Sequence, residues 1–413
     1  MKTDIDALMQ ADDISALLVT GPARHNPPMV YFTGNACPGQ SDLIKLRGQP
    51  PVLFYNVMER DEAAKTGLAT KSLDDYRLPE LIKQSNGNQV KATILRYQKM
   101  FADLGLTSGR IAMYGKVDAG AAYAIFTGLQ EAMPGLELLG QTDDSLMLKA
   151  RATKDASEVE HIRRMGQVTV EVVGMVSELL SSHRARDGVL VQPDGRPLTV
   201  GEVKRHINLW LAERDAENPH GTIFAIGHDA AVPHSSGDDS DTLRLGETIV
   251  FDISPCEAGG GYFYDLTRTW CLGYASDEAY ALYEDVFFVY REVMGELKAG
   301  GHGPQFQKRA CELFEARGHP TVRSDPQTQQ GYVHSLGHGV GLDIHERPRY
   351  GRNATPEDTL EPGSVVTHEP GLYYPDRNLG VRLEDTLWVR PDGALEVLAE
   401  YPLDLVLPVR GNS

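Results

Sequence analysis

Apolar residues come in short runs through the first third of the chain and in longer, helically spaced sets beyond it. The runs ISALLVTG, MVYFTG, PPVLFYN and RIAMYG read as strands, alternating with helical patterns over roughly residues 87–104 and 119–133. That alternation predicts an α/β unit over residues 1–150. A long helix follows, with Asp155 or Ser157 as its cap and apolar residues at helical spacing from Val159 to Leu180. We place the domain boundary near Leu148 to Lys154, so that a second domain occupies residues 151–413. TVGEVKRHINLWLAERDA, DEAYALYEDVFFVYREVMGELKAG and PQFQKRACELFEARG are further helices, whose apolar faces serve packing.

Two stretches of the second domain have the pattern of hairpins. In TIVFDISPCEAGGGYFYDLTRTW an apolar run, a glycine-rich reversal and an aromatic and β-branched run follow one another. A two-residue turn at Ala258 and Gly259 would set Asp252 directly opposite Asp265, thirteen residues on. Like charges facing each other on a sheet are destabilising, and Val250, Phe251 and Ile253 draw Asp252 out of water, so something positive is expected between the two. VVTHEPGLYYPDRNLGVRLEDTLWV repeats the pattern, with Glu369 and Glu384 fifteen apart about Asp376 and Arg377. Arg382, two residues before Glu384, shares its face of the strand, and His368, next to Glu369, points the other way.

Between the hairpins, YVHSLGHGVGLDIHERPRYG brings His334, His338 and His345 within twelve residues, among glycines that let the backbone approach closely. Four carboxylates and an imidazole suit a pair of divalent cations. Oxygen-rich ligation with one nitrogen points to manganese, cobalt or zinc, and away from iron–sulfur or structural zinc sites.

These segments resemble the catalytic domain of the pita-bread metallopeptidases, the family of methionine aminopeptidase, Xaa-Pro aminopeptidase and prolidase. The order matches: Asp in FDIS, Asp in YDLTRT, His in GHGVGLDIHE, Glu in HEPGLYY and Glu in GVRLED. LKARATKDASEVEHIRR is similar to the segment that opens this domain. PPMVYFTGN is similar to one in the N-terminal domain that prolidases and Xaa-Pro aminopeptidases carry and methionine aminopeptidases lack. The departure is the first hairpin, whose aspartates stand two residues further apart than is usual. We place the extra pair in EAGGG, where an even insertion preserves facing.

The resemblance implies an α/β (α+β) fold, a C-terminal pita-bread catalytic domain with a smaller N-terminal creatinase-like α/β domain. It implies two divalent metal ions per subunit, manganese first and cobalt or zinc as alternatives. Asp252 would bind one metal, His338 and Glu369 the other, and Asp265 and Glu384 would bridge them. Glu369 would also shuttle the proton, while His234, in TIFAIGHDAAVPHSSG, and His345 would polarise the substrate carbonyl. His334 would line the pocket for proline, and Arg382 would orient the ligands from behind. Arg349, with Arg347 as its alternative, would take the free carboxylate of a dipeptide. The implied substrate is a peptide with proline at the second position, cut by an Xaa-Pro aminopeptidase or Xaa-Pro dipeptidase, and the implied assembly is a homodimer.

Composition narrows the alternatives. A net charge of −18 and a pI near 5.2 argue against nucleic acid and anionic membrane as partners. The acidic start MKTDIDALMQADDIS lacks the apolar segment of a signal peptide, and Cys37, Cys256, Cys271 and Cys311, without a CxxC pair, suit a reducing cytoplasm. The acidic run GDDSDT at 237–242 reads as a solvated loop. Creatinase-like hydrolysis, a lyase reaction and a binding module that has lost catalysis share the scaffold. Creatinases lack the metal ligands and such modules typically lose them, whereas here all five positions are filled.

Overall fold

The computed structural model describes residues 4–34, 36, 38–141 and 145–410. Cys37, Asn35 of PPMVYFTGN and the first three residues of the acidic start lie outside them. The chain divides into two compact units, Met1–Ala150 with Gly259–Gly261, and Arg151–Ala258 with Tyr262–Ser413.

The first unit is built on a six-stranded sheet in the order Ala69–Ser72, Val52–Tyr55, Ser41–Leu46, Ala16–Gly21, Gly109–Gly115, Leu136–Gly140. The helices Gln89–Asp103 and Ala119–Ala132 are capped by Asn88 and Asp118, whose side chains accept from Lys91 N and Ala121 N. Leu18, Ile44, Phe54, Phe101 and Ile111 form the core. One expected strand is a helix: MVYFTG lies in Pro27–Thr33. Two prolines at its first positions pre-set the helical φ, and Met29 to Thr33 are all buried, so an unbroken apolar run that also suits a strand forms a sunken helical turn instead.

In the second unit the helix Ala156–Ser182 starts at Asp155, whose carboxylate accepts from Ser157 N and Glu158 N while the Glu158 side chain reaches back. One sheet runs Thr222–Ile226, Thr248–Ile253, Leu266–Ala275, Leu245–Gly246, with Val406–Leu407 beside Leu266–Ala275. A second runs Glu346–Arg349, His338–Gly339, Val365–His368, Asp385–Val389, Leu395–Val397. Gly371–Tyr374 and Leu379–Arg382 form a separate two-stranded ribbon, and the helices Asp277–Glu296 and Gly303–Ala316 pack into the same core through Val286, Val293 and Phe314. A bridge between Thr267 and Glu384 joins the hairpins, with Glu384 N donating to Thr267 O at 3.0 Å. The two carboxylate pairs are thereby brought to one place.

Register decides which carboxylates face. Gly371 pairs with Arg382 and His368 with Asp385, so Glu369 and Glu384 occupy matching positions about the turn Pro375–Arg377, as the spacing predicts. In the first hairpin Asp252 pairs with Thr267, not with Asp265. The turn explains the difference. Gly259 and Gly260 have φ of 93° and 86°, a pair of left-handed residues that glycine supplies and Ala258 does not, and Glu257 N closes the loop onto Tyr262 O. The reversal is therefore centred one residue later than Ala258–Gly259, and the register moves by two. An even shift leaves the aspartates on the same side of the sheet, so the expected facing survives as a diagonal.

Candidate metal centre

Nine of the ten residues singled out in the sequence line a single cavity of about 1120 Å³: Asp252, Asp265, His338, Glu369, Glu384, His234, His334, His345 and Arg382. Asp252 comes from Thr248–Ile253, between Thr222–Ile226 and Leu266–Ala275, and Asp265 is the residue before Leu266–Ala275. Glu369 and Glu384 stand just past the ends of Val365–His368 and before Asp385–Val389. His338 is fixed from its own backbone, which donates to Thr367 Oγ1 at 3.1 Å. A Cβ at Gly337 would collide with the Thr367 carbonyl, so glycine there is what lets the histidine segment lie against the strand.

Asp265, His338 and Glu384 each offer a donor atom, and all three atoms lie within 4.8 Å of one another. His338 Nε2 is 3.6 Å from Asp265 Oδ2 and 3.5 Å from Glu369 Oε1. Burial, then His345, lowers the His338 pKa to about 3, so its ring is neutral, and its Nδ1 sits 3.2 Å from Gly339 O. That contact suits an Nδ1 proton and leaves the Nε2 lone pair towards the carboxylates.

Positive charge is short at this point. Arg382 touches Asp252 through Nη2, and donates to Thr267 Oγ1 at 3.2 Å and to the Tyr373 hydroxyl at 2.7 Å. It supplies one charge against four carboxylates. Burial, then Glu384 and Asp252, pushes Asp265 well above the carboxylate range, and burial with Glu369 and Asp252 does the same to Glu384. Glu369 is pushed up to about 8 by burial, with Arg382 opposing and Asp252 adding. Asp265 Oδ1 and Glu384 Oε1 are buried with no hydrogen-bond partner among the described residues. Such atoms are costly unless something binds them, and a cluster of carboxylate oxygens with one neutral imidazole fits divalent cations.

The other histidines surround this cluster. His345 leans edge-on against His338 with ring centroids 4.4 Å apart, and burial, then His220 and His234, lowers its pKa. His334 Nε2 is 2.9 Å from the Tyr373 hydroxyl and its Nδ1 is 3.9 Å from Glu369 Oε2. His234 is exposed on the cavity wall.

Two expectations are placed differently. Arg349 is not among the residues lining the cavity; its strand pairs with the His338 segment and its backbone N donates to Asp358 Oδ1 at 3.0 Å. Arg347 is 3% exposed and bound by Asp358 and Glu357, at 3.0 and 3.3 Å. The acidic loop is also more than solvated, because Asp238 and Asp239 line the cavity, with Lys204 Nζ 3.0 Å from Asp239 Oδ1. His220 and Asn208 line it too and carried no motif. The signal for His220 is its place two residues before Thr222–Ile226, the strand that pairs Ile223 with Asp252.

The profile of metallopeptidase family M24 matches residues 160–391, the stretch that contains every one of the five ligand-type residues. The chain belongs to metallopeptidase family M24. This M24 chain is 27% identical over 388 residues to an Xaa-Pro dipeptidase of Pyrococcus horikoshii, covering 94% of the chain and 93% of the relative. It is 29% identical over 253 residues to an Xaa-Pro dipeptidase of Pyrococcus furiosus, covering 61% of the chain and 64% of that relative. In fold it is similar to an X-Pro aminopeptidase of Thermotoga maritima, with a TM-score of 0.71, 22% identity, and 97% and 98% of the two chains covered. The pita-bread catalytic fold with an N-terminal α/β domain, implied by the resemblance, is the fold the chain adopts.

Proposed function

We propose that the chain is a metal-dependent peptidase that hydrolyses the bond preceding proline in Xaa-Pro peptides. The observation that carries this is the pair of orphaned, buried carboxylate oxygens on Asp265 and Glu384, inside a cavity with Asp252, Glu369 and His338. We assign two divalent cations to these five residues, with Asp265 and Glu384 shared between them, manganese as the first choice and cobalt or zinc as alternatives. When bound, such a pair supplies an activated water and a clamp for the oxygens of the peptide bond.

The chain's own groups do the rest. Glu369, ionised when the cations are bound, would take a proton from the attacking water and pass it to the leaving nitrogen. His345 and His234 donate to the carbonyl oxygen as charge builds on it. His334 forms the wall against the proline ring, and Arg382 fixes Asp252 and Thr267 behind the ligands. We also assign a homodimer and a cytoplasmic setting, the latter supported by Cys256, Cys271 and Cys311 being free and buried.

Creatinase-like chemistry and a binding module are not favoured, since neither has use for this uncompensated carboxylate cluster. The test is a panel of Xaa-Pro dipeptides and longer Xaa-Pro peptides beside matched peptides with alanine for proline. We expect cleavage of the proline series only, abolished by chelation and restored by a divalent cation. Equal cleavage of both series, or none of either with metal bound, overturns the assignment.

A further inference from the structure

His345 opens onto the cavity while its ring rests edge-on against His338, and no hydrogen bond fixes that ring among the described residues. Its aim therefore depends on the loop that carries it. That loop is organised around the next residue, Glu346, whose side chain is wholly buried. Glu346 Oε1 accepts from Leu342 N at 2.9 Å and Asp343 N at 3.1 Å, curling residues 342–346 around one carboxylate. Lys154 Nζ, itself 1% exposed, donates to Glu346 Oε2 at 2.9 Å. Arg151 closes the other side, with Nε 3.5 Å from Glu346 Oε1 and Nη2 donating to Asp343 Oδ2 at 2.8 Å. A Cβ at Gly341 would strike the same carboxylate, so even the entry to the loop is shaped to it.

We infer that Lys154, with Arg151, is a positioning residue for the reaction: through Glu346 it clamps the loop that aims His345 at the substrate carbonyl. This rests on the role given to His345 above. Neither cation lines the cavity. Two buried cations on one buried carboxylate are more than packing requires, and a loop whose catalytic ring is otherwise held only by contact with His338 is where such rigidity matters. A misplacement of about 1 Å in a positioned group is enough to cost on the order of a hundredfold in rate.

The test is Lys154→Met measured alone and in a His345→Ala background, on an Xaa-Pro peptide with manganese bound. Alone, it should lower kcat about 10- to 100-fold with KM and metal stoichiometry unchanged, the range seen when groups behind a site are removed. In the His345→Ala background the same change should alter kcat less than about twofold, because the two act as one unit. Lys154→Arg should restore most of the loss. Equal losses in both backgrounds, or a fall in bound metal, would overturn the inference. Should Lys154→Met not fold, Lys154→Met with Glu346→Gln removes both charges together and is read in the same two backgrounds. Independently of activity, amide exchange at Leu342 and Asp343 in the metal-free protein should quicken in either variant, and unchanged exchange there refutes the clamp. A wild-type protein that cuts no Xaa-Pro peptide while this exchange quickens would count against the proposed reaction and His345's role, but not against the clamp.

Discussion

The catalytic unit contains two buried carboxylate clusters that solve the same electrostatic problem differently. At Glu346, burial pushes the carboxyl up, but Lys154 and Arg151 outweigh it, and the group is held below the ordinary range. At Asp265 and Glu384 burial is joined by neighbouring carboxylates, and both are driven well above that range. The first cluster carries its own cations; the second carries Arg382 and too few others. A fold able to bury Lys154 at 1% exposure has not done the same for the second site, which is left short of positive charge.

The largest effect that would sharpen this contrast is on turnover. Asp265→Asn or Glu384→Gln should reduce metal-dependent hydrolysis more than about a hundredfold, beyond what groups behind a metal site usually cost. Near-normal rates after chelation and metal readdition would show that these residues are not shared ligands. Stability should move in opposite senses in the two clusters. Glu346→Gln leaves buried Lys154 without its partner and should cost about 3–5 kcal/mol by denaturant unfolding, and Lys154→Met, which leaves Glu346 with Arg151, should cost less. Glu384→Gln in the metal-free protein removes repulsion, so its unfolding midpoint should be equal to or above that of the wild type. A large destabilisation there would mean that the charges are already balanced.

Metal should stabilise the wild type through the second cluster alone. At a hundred times the dissociation constant, manganese should add about 2.7 kcal/mol, an increment Asp265→Asn should lose and Glu346→Gln should keep. The smaller effects concern pH and Arg349. Because the folded pKa of Glu346 lies below its ordinary value of 4.5, its stabilisation is fully present above that value and is lost as pH falls through the folded pKa. Glu346→Gln should therefore lose stability at neutral pH and show a flatter acid limb in unfolding titrations below about pH 4.5. Arg349→Ala should raise the Michaelis constant for Xaa-Pro dipeptides while sparing longer peptides; equal losses on both, or none on either, would remove Arg349 from carboxylate capture.

The sequence exposed the parity of the site better than its register. Odd spacing placed Glu369 with Glu384 because the turn at Pro375–Arg377 is centred where PDRN suggests. It mis-centred the first hairpin because five residues of EAGGG offer several turns, and only the φ values of Gly259 and Gly260 choose among them. MVYFTG was illegible for a related reason, since a fully buried run has no period to reveal and only Pro27 and Pro28 hint at a helix start. The pairing of Lys154 with Glu346 spans 192 residues and leaves no local pattern at all. His220 was hidden likewise, its relevance set by a strand pairing rather than by its neighbours.

The most direct measurement is metal stoichiometry per chain against activity, titrating manganese into chelated wild type and Asp265→Asn. We expect two ions per wild-type chain, hydrolysis of an Xaa-Pro peptide rising with occupancy, and a variant that loses shared binding and activity together. Full activity in metal-free wild type, or wild-type stoichiometry and turnover in Asp265→Asn, would contradict a carboxylate cluster built to be completed by two cations.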